Sequence, residues 1–155
     1  LGGSLLQAGK HEEGEELLKS VVSRYPGSGA AQMSTLELGK IQLRRGSYDQ
    51  ALSELKKVLE ERTDEVAAQA QYWIGEVHFL KKEWEEAALQ FLRVSYVYPI
   101  YEEWSLKAEL RAGRCYEELK EFEQARSIYR RVGERVPETE YGKEAKQRLR
   151  GLMGR

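Results

Sequence analysis

The sequence predicts an all-α fold: about four stacked helix-turn-helix units followed by a C-terminal capping helix. Three observations carry this. Hydrophobic residues make up 41% and charged residues 33% of the 155-residue chain, with three prolines, a balance that suits helices with an extensive solvated surface. Four glycines, Gly2, Gly39, Gly75 and Gly113, are separated by 37, 36 and 38 residues. Around each glycine the same residue types recur at fixed distances, and self-similarity at a period of this size marks a stacked array.

The register is explicit. Twelve residues after each glycine stands a small residue: Gly14, Ala51, Ala87, Ala125. Sixteen after comes a bulky apolar one: Leu18, Leu55, Phe91, Tyr129. Nineteen after, valine appears every time, at Val21, Val58, Val94 and Val132, and twenty-four after stand Pro26, Thr63, Pro99 and Pro137. The units run approximately over 1–29, 30–65, 66–102 and 103–139, forming one array over 1–155. The first helix of each unit carries its glycine among apolar neighbours at adjacent-turn spacing, as with Ile74, Gly75 and His78. A short break follows in "QAGKH", "RRGSY", "LKKEW" and "LKEFE". Gly9 and Gly46 suit the left-handed residue that ends a helix. Lys82 and Lys120 fall in that same slot, where a left-handed backbone costs roughly 1–2 kcal/mol. The second helix opens at His11, Tyr48, Trp84 or Phe122 and stops near the proline, which cannot continue it. Each first-helix glycine is expected to face the small residue of the second helix, the large residues filling the space around that contact. Neither helix buries its apolar surface alone; stacked neighbours do. Residues 140–153 begin a fifth first helix, with Tyr141, Ala145 and Leu149 at the spacing of Trp104, Ala108 and Ala112. No second helix follows, so this segment reads as a cap or as the start of a further unit.

This pattern resembles the tetratricopeptide repeat (TPR) over essentially the whole chain. The third unit, with "IGEVH", Trp84, Ala87, Phe91 and Pro99, and the fourth, with "AGRCY", Phe122, Ala125, Tyr129 and Pro137, match it best. The resemblance implies a right-handed α-α superhelix. The first unit starts halfway through its first helix, and Thr63 replaces a proline. The 36–38 spacing exceeds the usual 34 of the repeat. Lengthened joints such as "RYPGSGAAQ" and "VPETEYGKEA" look like those of bacterial cell-envelope TPR proteins, of the YbgF/CpoB type associated with Tol-Pal and the BamD type of outer-membrane assembly lipoprotein. The expected setting is therefore the periplasm or cell envelope, the alternative the cytoplasm. The chain opens on Leu1 rather than methionine, so it reads as a piece of a longer or processed protein, and the lack of a signal peptide is uninformative.

Composition argues against several function classes. A formal net charge of −1 supplies no basic face for nucleic acid. No apolar stretch approaches the roughly 18 residues of a membrane span. The single cysteine, Cys115, takes a small apolar slot and reads as a buried hydrophobe. His11 and His78 stand in aromatic slots of different units, without ligands at metal spacing, so both read as structural. No phosphate loop, nucleophilic triad or paired-carboxylate pocket is inferable, and nothing calls for a cofactor. The chain reads as no enzyme. In "SYVYPIYEEW", Tyr98 and Trp104 occupy repeated slots and read as core, while Tyr96 and Tyr101 match none and read as a local exposed patch.

One feature does not reduce to stacking. The first helices carry a second apolar face: Leu6 in the first unit, Leu36 and Leu43, then Tyr72 and Phe79, then Leu110. Positions seven apart share one side of a helix. In the TPR superhelix that side lines the concave groove, so the resemblance implies a ligand face there, edged by Met33, Lys40, Arg44, Gln69, Glu76, Lys107, Arg111, Arg114 and Glu118. An apolar stripe with mixed charges suits an amphipathic helix or an extended peptide. The face could equally be filled by upstream helices, by the tail or by a second copy. The leading expectation is a non-enzymatic scaffold that binds a protein segment in envelope assembly or coordination. The alternatives are a cytoplasmic co-chaperone or adaptor that captures a C-terminal carboxylate, and an oligomerisation module of a larger protein. Lys107 and Arg111 match half of such a carboxylate clamp, whereas Leu36, Lys40 and Trp73 replace the rest.

Overall fold

The computed structural model describes the backbone of residues 2–155 and the side chains of residues 8–155. The described residues form helices joined by short turns, with no strand: α1 (Gly2–Arg24), α2 (Gly29–Arg44), α3 (Tyr48–Glu61), α4 (Glu65–Leu80), α5 (Trp84–Val97), α6 (Glu102–Glu118), α7 (Phe122–Arg135) and α8 (Glu140–Gly151). They fall into two compact units, Leu1–Arg62 and Thr63–Arg155.

In the Thr63–Arg155 unit, α4 with α5 and α6 with α7 form two helix hairpins, and α8 packs on α6 and α7. Both hairpin turns end their first helix in the same way. Lys82 and Lys120 take left-handed backbones, at φ 62° and 60°. Glu83 N–H donates to His78 C=O and Lys82 N–H to Phe79 C=O, with the matching pair at Glu121 and Lys120. That is the Schellman closure, and it normally recruits glycine. The core is continuous through Phe91, Val94, Ala108, Cys115, Tyr129, Val132 and Ala145, all fully buried.

The repeat glycines are packing positions, but the contact differs from the expected one. A Cβ at Gly75 would lie 2.6 Å from the ring of Phe91, and one at Gly113 2.6 Å from the ring of Tyr129. The missing side chain makes room for the bulky residue sixteen positions on rather than for the small one twelve on. Ala87 and Ala125 are buried beside them. Tyr129, seated over Gly113, donates its hydroxyl to Glu117, which also accepts from Arg148 of α8 at 3.2 Å. A backbone approach holds the start of α8: a Cβ at Gly142 would fall 2.0 Å from the carbonyl oxygen of Val136. The outer face of α8 is polar, with Lys143, Glu144, Lys146, Gln147 and Arg150 exposed.

In the Leu1–Arg62 unit, α2 and α3 repeat the hairpin. Gly46 closes the turn at φ 79°, and a Cβ at Gly39 would lie 2.8 Å from Leu55. The first unit of the array departs from expectation. α1 runs unbroken from Gly2 to Arg24 through "QAGKH", and Gly9 is helical rather than left-handed. Continuing the helix costs only about 1 kcal/mol at the glycine. As a result Gly14 meets nothing within 4 Å, His11 lies exposed on the helix surface, and Leu17 is 66% exposed. α1 is held instead by Glu15, which is buried and pairs with Arg45 at 2.5 Å and Lys19 at 3.1 Å. Those cations hold its carboxyl below the usual range.

Candidate functional site

The residues expected to line a ligand face divide between the two units. In Leu1–Arg62, Leu36 and Leu43 are buried, Lys40 is half-buried and bonds Glu37 at 3.1 Å, and Arg44 is exposed at the end of α2. The leucines therefore present no open stripe. Arg44 instead edges a hollow of about 610 Å³ beside Leu17, Leu18 and Ile41, on the surface that unbroken α1 leaves uncovered. The side chain of Leu6 lies outside the described residues.

In Thr63–Arg155 the named residues converge. Tyr72 of α4, Lys107, Leu110, Arg111 and Arg114 of α6, and Tyr141 and Glu144 of α8 surround one hollow of about 240 Å³. Three first helices of the repeat thus present one face, as residues seven apart on a helix must. Leu110 is buried in its wall, 4% exposed. Tyr72 forms the inner end, its ring 5.4 Å from Phe91, 5.4 Å from Trp73 and 5.5 Å from Trp104. Burial, and then the nearby Glu76 carboxylate, push its phenol pKa far above the ordinary value, so it is a neutral hydrogen-bond donor.

The charges are held in place. Arg111 makes a two-pronged pair with Glu76, Nε to Oε1 at 2.5 Å and Nη2 to Oε2 at 2.9 Å, a geometry that fixes the guanidinium plane. The same guanidinium lies 4.0 Å from the centre of the Phe79 ring, with Arg114 at 5.7 Å, so Phe79 is a half-buried platform for cations. Lys107 sits 4.6 Å over Trp104, whose indole donates to Glu65 at 3.3 Å. Arg111 is matched by Glu76, Lys107 also pairs with Glu103 at 3.9 Å, and Glu144 pairs with Arg148 at 3.7 Å; three cations and one acid line the hollow, which is basic with aromatic walls.

Tyr141 and Glu144 were not legible as site residues, because α8 reads as a cap. The available signal was that Tyr141 stands in the repeat slot of Trp104 and Val66. Tyr141 bonds Glu103 at 2.9 Å, and burial raises its pKa to about 12. Around Pro99, Trp104 and Tyr98 are half-buried at the core edge rather than within it. The exposed aromatic patch there consists of Tyr96 with Val97 and Ile100, at 83%, 59% and 81% exposure; Tyr101 is half-buried. His78 bonds Glu83 at 3.0 Å. Burial pushes the Cys115 thiol up to about 12, so it stays protonated at neutral pH. Among the described residues no cluster of His, Cys, Asp and Glu could hold a metal ion, and no helix is long and apolar enough to cross a membrane.

Comparison with known proteins bears on the repeat and the fold. A tetratricopeptide-repeat family model matches residues 36–102, and a second model of that repeat matches 1–28 and 107–139. Among curated proteins none matches the chain. Among solved structures, a tetratricopeptide repeat protein from Parabacteroides merdae ATCC 43184 superposes with a TM-score of 0.73 at 18% identity, over 97% of this chain and 57% of that one. The chain thus spans little over half of that protein's length. MamA superposes at 0.63 and 20% identity, over 99% and 92% of the two chains. The TPR domain of Arabidopsis OM64 does so at 0.62 and 17%, over 79% and 97%. At these identities the likeness is one of fold.

Proposed function

The chain is a tetratricopeptide-repeat protein, and from that premise we propose that it is a non-enzymatic scaffold whose α4/α6/α8 face binds an acidic, apolar-bearing segment of a partner protein. The fold is one of protein–protein interaction scaffolds, and fold alone does not choose the ligand. The observation that carries the choice is the hollow lined by Tyr72, Lys107, Leu110, Arg111 and Arg114. Its aromatic and aliphatic walls accept an apolar side chain, and its excess of positive charge favours carboxylates beside it. Large aromatics and arginines are also the usual energetic anchors of interfaces.

A bare C-terminal carboxylate clamp fits less well. Arg111, one of its two expected cations, already has both prongs on Glu76. We place the scaffold in bacterial envelope assembly or coordination, supported by the lengthened joints behind the 36–38-residue period. Fractionation of the native protein from cells tests that placement separately.

The binding claim is tested by selecting displayed random peptides on the protein and counter-selecting on Lys107→Glu/Arg114→Glu. Both residues sit at the rim, so the variant should melt within about 1 kcal/mol of wild type. Peptides enriched in Asp or Glu beside Phe, Leu or Trp, and lost on the variant, are the expected result. Enrichment indifferent to the variant removes this face as the site.

A further inference from the structure

We propose that the joint between α5 and α6 is a second docking site, which takes a lysine or arginine side chain of a partner segment. A hollow of about 380 Å³ lies there, walled by Ser95, Pro99, Ile100, Ser105, Glu109 and Arg135. The repeat makes such a hollow where a second helix gives way to the next first helix. In Leu1–Arg62 the equivalent, about 130 Å³, is lined by Val22, Pro26, Ala31, Thr35 and Glu61, which stand in the repeat slots of Ser95, Pro99, Ser105, Glu109 and Arg135. The shape therefore belongs to the architecture. The chemistry belongs to this joint alone of the two.

Two side chains set it apart. Ser105 occupies a slot filled by Ala31, Ala67 and Gly142 elsewhere, so packing there does not require a hydroxyl. Ser105 is nevertheless 4% exposed at the floor of the hollow, and its Oγ has no hydrogen-bond partner. Buried polar groups are normally satisfied, and an unsatisfied one beside a hollow calls for a ligand atom. Next to it lies the carboxylate of Glu109, also 4% exposed, accepting from Ser95 Oγ and Arg135 Nη2, each at 3.1 Å. At the equivalent slot in the other unit, Thr35 turns its hydroxyl back to Ala31 C=O at 2.9 Å.

The sign of the ligand follows from the balance of charge. Glu102 also lines the hollow, so two carboxylates face one guanidinium. An entering carboxylate would be set against Glu109, whose buried charge is screened less than an exposed one. An ammonium or guanidinium would donate to Ser105 Oγ and to the remaining lone pairs of Glu109. The lip supplies the rest of a peptide site: Ile100, with Tyr96 and Val97 within a turn or so of chain, is strongly exposed and apolar, a patch suited to the residues flanking the basic one. The occupant is thus a segment with a lysine or arginine between apolar side chains, opposite in charge to the one proposed for the α4/α6/α8 face.

The test uses three blocked peptides, acetyl-Leu-Lys-Leu-Leu-amide and its norleucine and glutamate counterparts, titrated to millimolar concentration into 15N-labelled protein. The lysine peptide is expected to shift the amides of residues 95–109, with the other two at least about tenfold weaker. Ser105→Ala and Glu109→Gln, which copy residues found in those repeat slots at Ala67 and Gln71, should keep the fold by thermal melt and each weaken the lysine peptide. Equal binding of the norleucine peptide would reduce the site to an apolar patch and overturn the proposal. Preferential binding of the glutamate peptide, shifts confined to other residues, or no shifts at all would overturn it too.

Discussion

At the scale of single residues, the two lysines at the hairpin turns are the clearest case of a local cost read from sequence. Lys82 and Lys120 stand where Gly46 stands, and all three take positive φ. The reason is closure of the preceding helix: the turn's two backbone hydrogen bonds form only with a left-handed residue there. A side chain in that conformation costs roughly 1–2 kcal/mol, part of which glycine would return as unfolded-state entropy. Lys82→Gly and Lys120→Gly should each raise stability by about 0.5–1 kcal/mol. Gly46→Ala should lower it by about 1–2 kcal/mol. Denaturant midpoints for the three variants check both signs.

At the scale of elements, one substitution made at two glycines separates space from conformation. Alanine gains about 1 kcal/mol over glycine inside a helix. At Gly9 nothing lies within 4 Å of the new methyl group, so Gly9→Ala should stabilise α1 by up to that amount. A left-handed hairpin turn at Gly9 would give the opposite sign, so a thermal melt decides between the continuous helix and the expected break. At Gly75 the methyl group would meet Phe91, fully buried and unable to withdraw, at 2.6 Å. Overpacking of this kind costs about 1–3 kcal/mol or more and outweighs the helical gain, so Gly75→Ala should melt lower than wild type.

The same two elements show what could be read in advance. The period located the hairpins from α2 onward and the glycine positions, because a packing requirement repeated in every unit leaves a repeated residue. It did not reveal that α1 runs straight through, since residue types at fixed offsets are silent on whether the chain turns at a glycine or continues its helix through it. Nor did it show that Leu36, Leu43 and Leu110 are closed off while Tyr72 and Phe79 stay half open. Spacing says which residues share a side of a helix, whereas burial depends on what packs across it.

At the scale of the whole molecule, a nearly neutral chain of net charge −1 carries its functional charge in local arrangement. Arg111 is held by Glu76 and Phe79, Lys107 rests on Trp104, and Arg114 and Glu144 complete a hollow that no overall composition would disclose. Tyr72 also packs against Phe91, so truncating it would disturb the core along with the face, and rim charges are the cleaner probes. The measurement that tests the central claim most directly is an amide chemical-shift map of 15N-labelled protein titrated with a blocked peptide of alternating glutamate and phenylalanine. The account predicts shifts clustered at Tyr72, Phe79, Lys107 to Arg114 and Tyr141, weakening steeply with added salt as basic–acidic contacts do, and lost in Lys107→Glu/Arg114→Glu. Shifts scattered over the surface, or persisting undiminished in that folded variant, would contradict it.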